Sequence, residues 1–174
     1  MSGCIEGNNG IIMAELFKRY RILLFISLII IVLDQLTKWL VLINIPLYES
    51  ITIIPNVFDL THIHNTGGAF GFMADQSLLV RQILFHGVSM FSLVIIVYFY
   101  HQSPIEYPFL LAALSLIFGG AVGNLIDRFR LGEVVDFLDV YIGTYHWPAF
   151  NVADSAVSVG VTVLMYYMII KKVP

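Results

Sequence analysis

GGAVGNLIDRFRLGEVVDFLDVYIGTYHWPAFNVADS, residues 119–155, contains four aspartates, and three of them stand out within or beside strongly apolar segments. These are Asp127, Asp136 and Asp154. Three further polar side chains accompany them in the same stretch: Asn124, Arg128 and Asn151. A charge in hydrocarbon costs roughly 2.5–3.5 kcal/mol on insertion scales, so ionisable residues at such positions are usually functional. We therefore interpret this stretch as the chemical centre of the protein.

The composition around that stretch is typical of a membrane protein. The 174 residues are 59% hydrophobic and only 12% charged, and the mean hydropathy is +0.86. The length predicts one domain, and the hydrophobic excess points to a bilayer as solvent. With a net charge of −3 and no basic patch, nucleic acid is not an expected partner. The single cysteine, Cys4, excludes an internal disulfide and a cysteine-rich metal site.

Four apolar segments are each long enough to cross a bilayer, at about 22–43, 78–100, 108–126 and 151–170. Lys18, Arg19 and Arg21 precede the first segment, which predicts a cytoplasmic N-terminus and, after four spans, a cytoplasmic C-terminus. No small-residue cleavage site follows the first segment, so we interpret it as an anchor. Residues 1–13 are rich in Gly and Asn, and we expect them to be a disordered leader.

The two segments that link spans outside the cytoplasm differ in pattern. Between residues 44 and 75, prolines, asparagines and a glycine pair interrupt any helix. Residues 51–54 and 57–64 are β-branched and alternate, which predicts two short strands. Residues 127–150 are expected to form the second external loop. The predicted fold is therefore an α-helical integral membrane protein, with four transmembrane helices and a small β-sheet and loop subdomain on the outer face.

Asp34 and Lys38 lie near the outer end of the first span, four residues apart. This spacing puts both side chains on one helix face, where they form a pair and each lowers the free-energy cost of placing the other's charge in lipid. Two interpretations remain open: a structural ion pair with a snorkelling lysine, or a direct role in a site.

Asn124, Asp127 and Arg128 are spaced for a hydrogen-bonded cluster at the end of the third span. We expect Arg128 to hold a carboxylate in a forked contact. Gly119 and Gly123 form a GxxxG pattern, which favours close packing of helices. The string 65–71, NTGGAFG, lets backbone approach a ligand closely, although a plain turn explains it equally well.

Asp136 and Asp154 are candidates for a catalytic pair, with Asn151 on the same helix face as Asp154. Two adjacent carboxylates share one proton, so one acts as a base toward water and the other as an acid toward a carbonyl. A proton or ion relay and a structural network explain the same residues. His62 and His64 would share one face of a strand as a conceivable metal pair, but without a third ligand nearby we interpret them as ordinary strand residues.

Taken together, four strings resemble bacterial lipoprotein signal peptidase, the signal peptidase II family of aspartic peptidases of the inner membrane. The strings run in order from Leu33 to Ser158 and agree with the family in spacing: Asp34-x-x-Thr37-Lys38, Asn65-x-Gly67-x-Ala69-Phe70, Gly119-Gly-Ala-x-Gly-Asn124-Leu-x-Asp127-Arg128 continuing to Val-Val-Asp136-Phe137, and Phe150-Asn151-x-Ala153-Asp154. Gly68 departs from the pattern, since the family often has Ala there.

The resemblance implies that Asp136 and Asp154 form the catalytic dyad. Other matched positions are implied to bind substrate or support the site: Asp34, Lys38, Asn65, Gly67, Asn124, Asp127, Arg128, Asn151 and Ala153. The implied reaction removes the signal peptide of a prolipoprotein just before its lipid-modified cysteine, with the dyad activating water and with no metal or cofactor. The implied partners are lipid-modified prolipoprotein signal peptides and membrane lipid, the expected state is a monomer, and the site would face the periplasm from the inner membrane.

Two functions of other classes compete with this expectation. A small proton-coupled carrier would use the acidic residues as a relay, but its site is expected near the midplane and between inverted repeats. A purely structural or assembly protein would leave the clustered charges unexplained.

Overall fold

A computed structural model of the protein describes residues 3–66 and 78–171. The helices and strands follow one another in this order: α1 (Gly3–Asn44), β1 (Ser50–Ile54), β2 (Phe58–Asn65), α2 (Leu78–Gln102), α3 (Pro108–Leu131), β3 (Val134–Ile142), β4 (Tyr145–His146) and α4 (Val152–Tyr166). The last helix continues as a π-helical turn, Tyr167–Lys171.

Four helical segments are long and apolar enough to cross a membrane, as the sequence predicts: Arg19–Asn44, Gln82–Gln102, Pro108–Leu131 and Val152–Lys171. Large apolar side chains such as Phe25, Phe91 and Phe109 point outward, which suits a lipid rather than an aqueous surrounding. Helix α3 packs against all three other helices and has the largest buried share of the four segments. It is therefore the centre of the bundle.

Two boundaries differ from the sequence-based expectations. Helix α1 begins at Gly3, so the described part of the expected disordered leader is helical. No proline precedes Pro46, and extending an existing helix is much cheaper than starting one. Helix α3 ends at Leu131, so Asp127 and Arg128 belong to the helix and not to the second external loop.

The small sheet is antiparallel, with strand order β1-β2-β3-β4. Strands β1 and β2 match the two predicted strands, whereas β3 and β4 lie in the segment predicted as a loop. In the β2–β3 register, Asn65 pairs with Val134 and Ile63 pairs with Asp136. Val135 and Phe137 of β3 pack on Val41 and Ile45 at the end of α1, and this contact anchors the sheet to one end of the bundle.

Glycines allow α3 to approach its neighbours closely. A Cβ at Gly119 would lie 3.0 Å from Ser27 Cα on α1, so the GxxxG pattern serves helix packing, as predicted. A Cβ at Gly120 would collide with the carbonyl oxygen of Ala153 on α4. On α4 itself, a Cβ at Gly160 would lie 2.6 Å from Ile117 Cγ1 and 2.7 Å from Ala113 O.

We expect Gly120→Ala and Gly160→Ala each to lower the free energy of unfolding by about 1–3 kcal/mol, because the new methyl group meets atoms that must shift. Gly87→Ala is the matched control, because nothing lies within 4 Å of its Cβ position, and it should cause no loss. Thermal unfolding in detergent, followed by tryptophan fluorescence, measures all three. Equal midpoints for the three variants would contradict the packing role of these glycines.

Candidate active site

Lys38 lies at the centre of a buried polar cluster between α1 and α3. Its Nζ is 2.8 Å from Asp34 Oδ2 and 2.8 Å from Asp127 Oδ2, and it donates to Asn124 Oδ1 at 2.9 Å. Lys38 is 2% exposed and Asp34 is fully buried. An ammonium has three N–H donors, and these three contacts use all of them. The predicted pair of Asp34 and Lys38 therefore exists, but the lysine is buried and does not snorkel to the interface.

The same cluster ties α1 to the start of α4. Asp34 Oδ1 accepts a hydrogen bond from the backbone N–H of Ala153 at 2.9 Å, one of the donors that the first turn of a helix leaves without an intrahelical partner. Gln35 Nε2 donates to Asp127 Oδ1 at 2.9 Å and to Gly123 O at 3.2 Å. Gln35 was missed by sequence reasoning, although an amide beside a charged residue in an apolar span is a usable signal.

Gly132 turns the chain from α3 into β3. Its φ of 80° lies in the left-handed region, and its N–H donates to the carbonyl of Arg128 at 3.0 Å. Glycine suits this position because a Cβ disfavours positive φ. Asp127 Oδ2 then accepts from the N–H of Val135 at 3.3 Å. The residue after that anchored amide is Asp136, so the turn and the lysine cluster together set its place.

Asp136 lies on β3 with an amide donor at each carboxyl oxygen. Asn151 Nδ2 donates to Oδ1 at 2.7 Å, and Asn65 Nδ2 donates to Oδ2 at 2.9 Å. The residue is 3% exposed. Burial raises the pKa of Asp136 to about 6, the hydrogen bond from Asn65 opposes that rise, and the charge of Asp154 adds to it. Asp136 is thus adapted to keep a proton that an exposed aspartate would lose.

Asp154 lies in the first turn of α4 and forms a capping box with Asn151. The N–H of Asp154 donates to Asn151 Oδ1 at 2.9 Å, and the N–H of Asn151 donates to Asp154 Oδ2 at 3.2 Å. Asn124 Nδ2 donates to Asp154 Oδ1 at 2.7 Å. A helix N-terminus favours negative charge, so the surroundings of Asp154 suit an ionised carboxylate.

Two asparagine side chains join these aspartates to each other and to the lysine cluster. Asn151 contacts both Asp136 and Asp154. Its Nδ2 also lies 3.2 Å from Asn124 Oδ1, the oxygen that accepts from Lys38. The structure therefore brings the carboxyls of both predicted dyad residues into contact with Asn151, one with its side chain and the other with its backbone N–H. All five residues of this paragraph were candidates from the sequence.

An open cavity of about 470 Å³ lies beside Asp154. The β4–α4 connection and one face of α4 line it, through Trp147, Pro148, Ala149, Phe150, Asp154, Ser155, Ser158 and Val159. Its surface is mainly apolar, and a carboxylate at its edge is a polar group within reach of whatever occupies it.

Arg128 does not form the forked carboxylate contact that the sequence predicts. Among residues 3–66 and 78–171, no carboxylate forms an ion pair with it. Its Nη1 instead lies 3.3 Å from Ser89 Oγ on α2. The guanidinium lines a narrow pocket together with Asn65, Thr66, Gln82, Phe85, His86, Gly132 and Glu133.

Three further positions singled out from the sequence are Gly67, His62 and His64. Gly67, with the rest of the string from 67 to 71, lies outside the described residues. His62 and His64 contact each other on β2. Within the described ranges, no group of three or more His, Cys, Asp or Glu side chains is arranged to hold a metal ion.

Comparison with known proteins places these features in one family. The family model described as signal peptidase II matches residues 26–170. A lipoprotein signal peptidase of Desulforapulum autotrophicum is 53% identical over 152 residues, which cover 87% of this chain and 94% of the relative. A lipoprotein signal peptidase of Geobacter sulfurreducens is 51% identical over 150 residues, covering 86% and 92%.

Solved structures agree with this comparison. A bacterial membrane enzyme solved by the in meso method at 1.9 Å resolution superposes with a TM-score of 0.76 at 32% identity. The match covers 85% of this chain and 92% of that chain. A second structure of a bacterial membrane enzyme, at 2.3 Å, gives a TM-score of 0.75.

We expect Lys38→Met to destabilise the protein by about 3–5 kcal/mol, because it leaves two buried carboxylates without their shared cation. Asp127→Asn should lower the stability by a smaller amount, because the charge of Asp34 still balances the charge of Lys38. Lys171→Met, at an exposed lysine, is the control and should leave stability unchanged. Unfolding midpoints in detergent give the ranking. A larger loss for Asp127→Asn than for Lys38→Met would contradict the charge balance inferred for this cluster.

Proposed function

The chain belongs to the signal peptidase II family and is a multi-pass membrane peptidase, and from that premise we propose that it removes signal peptides from lipid-modified prolipoproteins by cutting just before the lipid-modified cysteine. The observation that carries the proposal is Asn151, whose side-chain amide donates to Asp136 Oδ1 and whose backbone N–H donates to Asp154 Oδ2. Two carboxylates joined in this way suit an aspartic mechanism.

In the proposed reaction, Asp136 and Asp154 share one proton. The ionised member takes a proton from water, and the water oxygen attacks the scissile carbonyl carbon. The protonated member gives its proton to the carbonyl oxygen, which forms a neutral tetrahedral intermediate. Collapse of that intermediate breaks the C–N bond: the amine leaves with a proton from the dyad, and one hydroxyl of the intermediate returns its proton to the dyad as the new carboxyl group forms. The pair activates water itself, so the proposal includes no metal ion and no organic cofactor.

The surroundings of the two carboxyls favour a division of roles. Asp136 is almost fully buried, and its pKa is raised to about 6, so we assign the shared proton to it. Asp154 caps α4 and accepts from Asn124, which suits the ionised partner that acts on water. The titration belongs to the coupled pair and not to either residue alone.

We place the protein in the bacterial inner membrane, with both termini in the cytoplasm and the active site toward the periplasm. Arg19 and Arg21 begin the first span, and a basic flank of this kind is usually retained inside. The sheet and the aspartates lie at the opposite end of α1, near Val41 and Ile45. Exposed Tyr145 and Trp147 on this side suit the headgroup layer, where such rings are enriched.

The cavity beside Asp154 suits an apolar substrate that enters from lipid. A prolipoprotein signal peptide is an apolar helix, and its modified cysteine carries acyl chains. The mainly apolar walls of Trp147, Phe150 and Val159 match that character, and Asp154 at the edge meets the peptide bond. We therefore propose that the partners are lipid-modified prolipoproteins and membrane lipid, and that the enzyme acts as a monomer.

The remaining residues of the site support the pair in this proposal. Asn65 and Asn151 orient Asp136, whereas Asn124 orients Asp154. Three buried charges, with the backbone of Ala153, hold the helices that carry these side chains: Asp34, Lys38 and Asp127. Arg128 lines the pocket next to Asn65, where we propose that its guanidinium donates to a peptide carbonyl.

Asp136→Asn and Asp154→Asn should each reduce cleavage of a purified lipid-modified precursor by at least about 1,000-fold, because neither variant can share a proton. Asp139→Asn is the control on the same strand. Asp139 pairs with His146 away from the site, and its variant should cleave normally. A gel-shift assay measures cleavage, and thermal midpoints verify folding. Normal cleavage by both dyad variants would refute the aspartic mechanism.

The raised pKa of Asp136 predicts how cleavage depends on pH. An ordinary aspartate has lost its proton well below pH 6, whereas Asp136 keeps its proton until about pH 6. If Asp136 is the acid, kcat/KM falls about tenfold per pH unit above this value. Asn65 opposes the rise of this pKa, so Asn65→Ala should move the decline to higher pH.

Asn44→Ala is the control for that shift, because the side chain of Asn44 donates to Leu40 O within its own helix. Its pH profile should coincide with the profile of the unmodified protein. A decline that stays in place, or moves to lower pH, in Asn65→Ala would remove Asp136 from the role of acid.

A further inference from the structure

Two histidine rings on β2 converge at a place separate from the aspartate pair. His62 Nε2 and His64 Nε2 are 3.1 Å apart. The ring centroids are 5.1 Å apart, and the ring planes are inclined at 53°. His62 is buried, whereas the side chain of His64 is 22% exposed, so His64 is the more accessible of the two rings.

The other nitrogen of each ring already has a partner. His62 Nδ1 is 2.7 Å from Ile45 O, and His64 Nδ1 is 3.1 Å from Glu133 Oε2. A backbone carbonyl and a carboxylate only accept hydrogen bonds, so each Nδ1 is the donor. A neutral imidazole has one N–H. Two neutral rings therefore present bare lone pairs to each other at their Nε2 atoms, and a cation, either a shared proton or a metal ion, stabilises that arrangement.

We propose that His62 and His64 form a binding site for a divalent transition-metal ion such as Zn²⁺ or Cu²⁺, coordinated by their two Nε2 atoms. The separation of the two nitrogens suits ligands of one ion at bond lengths of about 2.0–2.1 Å. The Nδ1 contacts follow the usual pattern, in which a carbonyl or carboxylate orients a metal-binding histidine. Neutral imidazole is a preferred ligand for Zn²⁺ and Cu²⁺.

Solvent completes the coordination of this ion on the open side of His64. The described residues offer no third His, Cys, Asp or Glu ligand at this place, so the ion is exchangeable and not a permanent structural metal. Glu133 contributes a negative charge next to His64, which partly balances the charge of the ion. Ion binding does not depend on peptidase activity, and it is measured without substrate.

The position of the pair suggests what the ion does. Ile45 follows α1, His62 and His64 belong to β2, and Glu133 lies between α3 and β3. The ion therefore joins the sheet to two helix ends. The residue after His64 is Asn65, which donates to Asp136, so the ion stiffens the strand end that orients this carboxyl.

The test uses the full-length protein in detergent, without a histidine tag and with Cys4→Ser to remove the only thiol. Zn²⁺ is titrated by calorimetry, and Cu²⁺ is examined by electron paramagnetic resonance. We expect one equivalent of ion with two coordinated imidazoles and a raised unfolding midpoint. His62→Gln or His64→Gln should weaken binding more than about tenfold, and Glu133→Gln by roughly tenfold.

His146→Gln is the matched control, because His146 is an outer-sheet histidine with its own carboxylate partner, Asp139. Its variant should bind the ion as the parent does. Absence of binding, or equal binding by the His62 and His64 variants, would overturn the proposal. Nitrogen-15 spectra recorded with the ion present would also overturn the proposal if they showed a proton on one of the two Nε2 atoms. The pair would then share a proton and not a metal ion.

Discussion

The ammonium of Lys38 is the constraint on which the rest of the structure depends. A single cation inside an apolar bundle is costly unless every donor has a partner and its charge is balanced. Asp34 and Asp127 supply the charge, and Asn124 takes the third donor. Because these partners lie on different helices, satisfying one lysine fixes the relation of α1 to α3. Asp34 extends that constraint to α4 through the N–H of Ala153.

The aspartate pair is built upon this fixed helix arrangement. Asp127, a member of the lysine cluster, also accepts from the backbone of Val135, and the turn at Gly132 delivers β3 to that point. Asp136 follows Val135 directly in the chain, so these contacts also fix its position. On the other side, Asn151 begins α4 and contacts Asp136. Uncharged amides make the connections between the carboxyls, so no further charge has to be buried to hold them.

The two carboxyls differ because their supporting elements differ. A strand buried against the end of α1 gives Asp136 little solvent, and desolvation favours its neutral form. A helix N-terminus next to an open cavity favours charge on Asp154. In the proposed mechanism, this difference in environment assigns separate acid and base roles to two chemically identical groups.

The sequence alone determined the apolar character of the chain, the four candidate spans and two of the strands, and it predicted the residues of the candidate site, because long apolar segments and costly polar residues within them are local signals. The spacing of Asp34 and Lys38 predicted their pair for the same reason. The sequence did not reveal strand β3, whose residues 134–142 it predicted as part of a loop. It also did not reveal the partners of Arg128 or the role of Gln35. Contacts between residues far apart in the chain depend on how the helices pack. Only the tertiary structure decided that Lys38 would be shared by two aspartates, and that one asparagine would contact both Asp136 and Asp154, since those distances follow from the close approach of α3 to its neighbours.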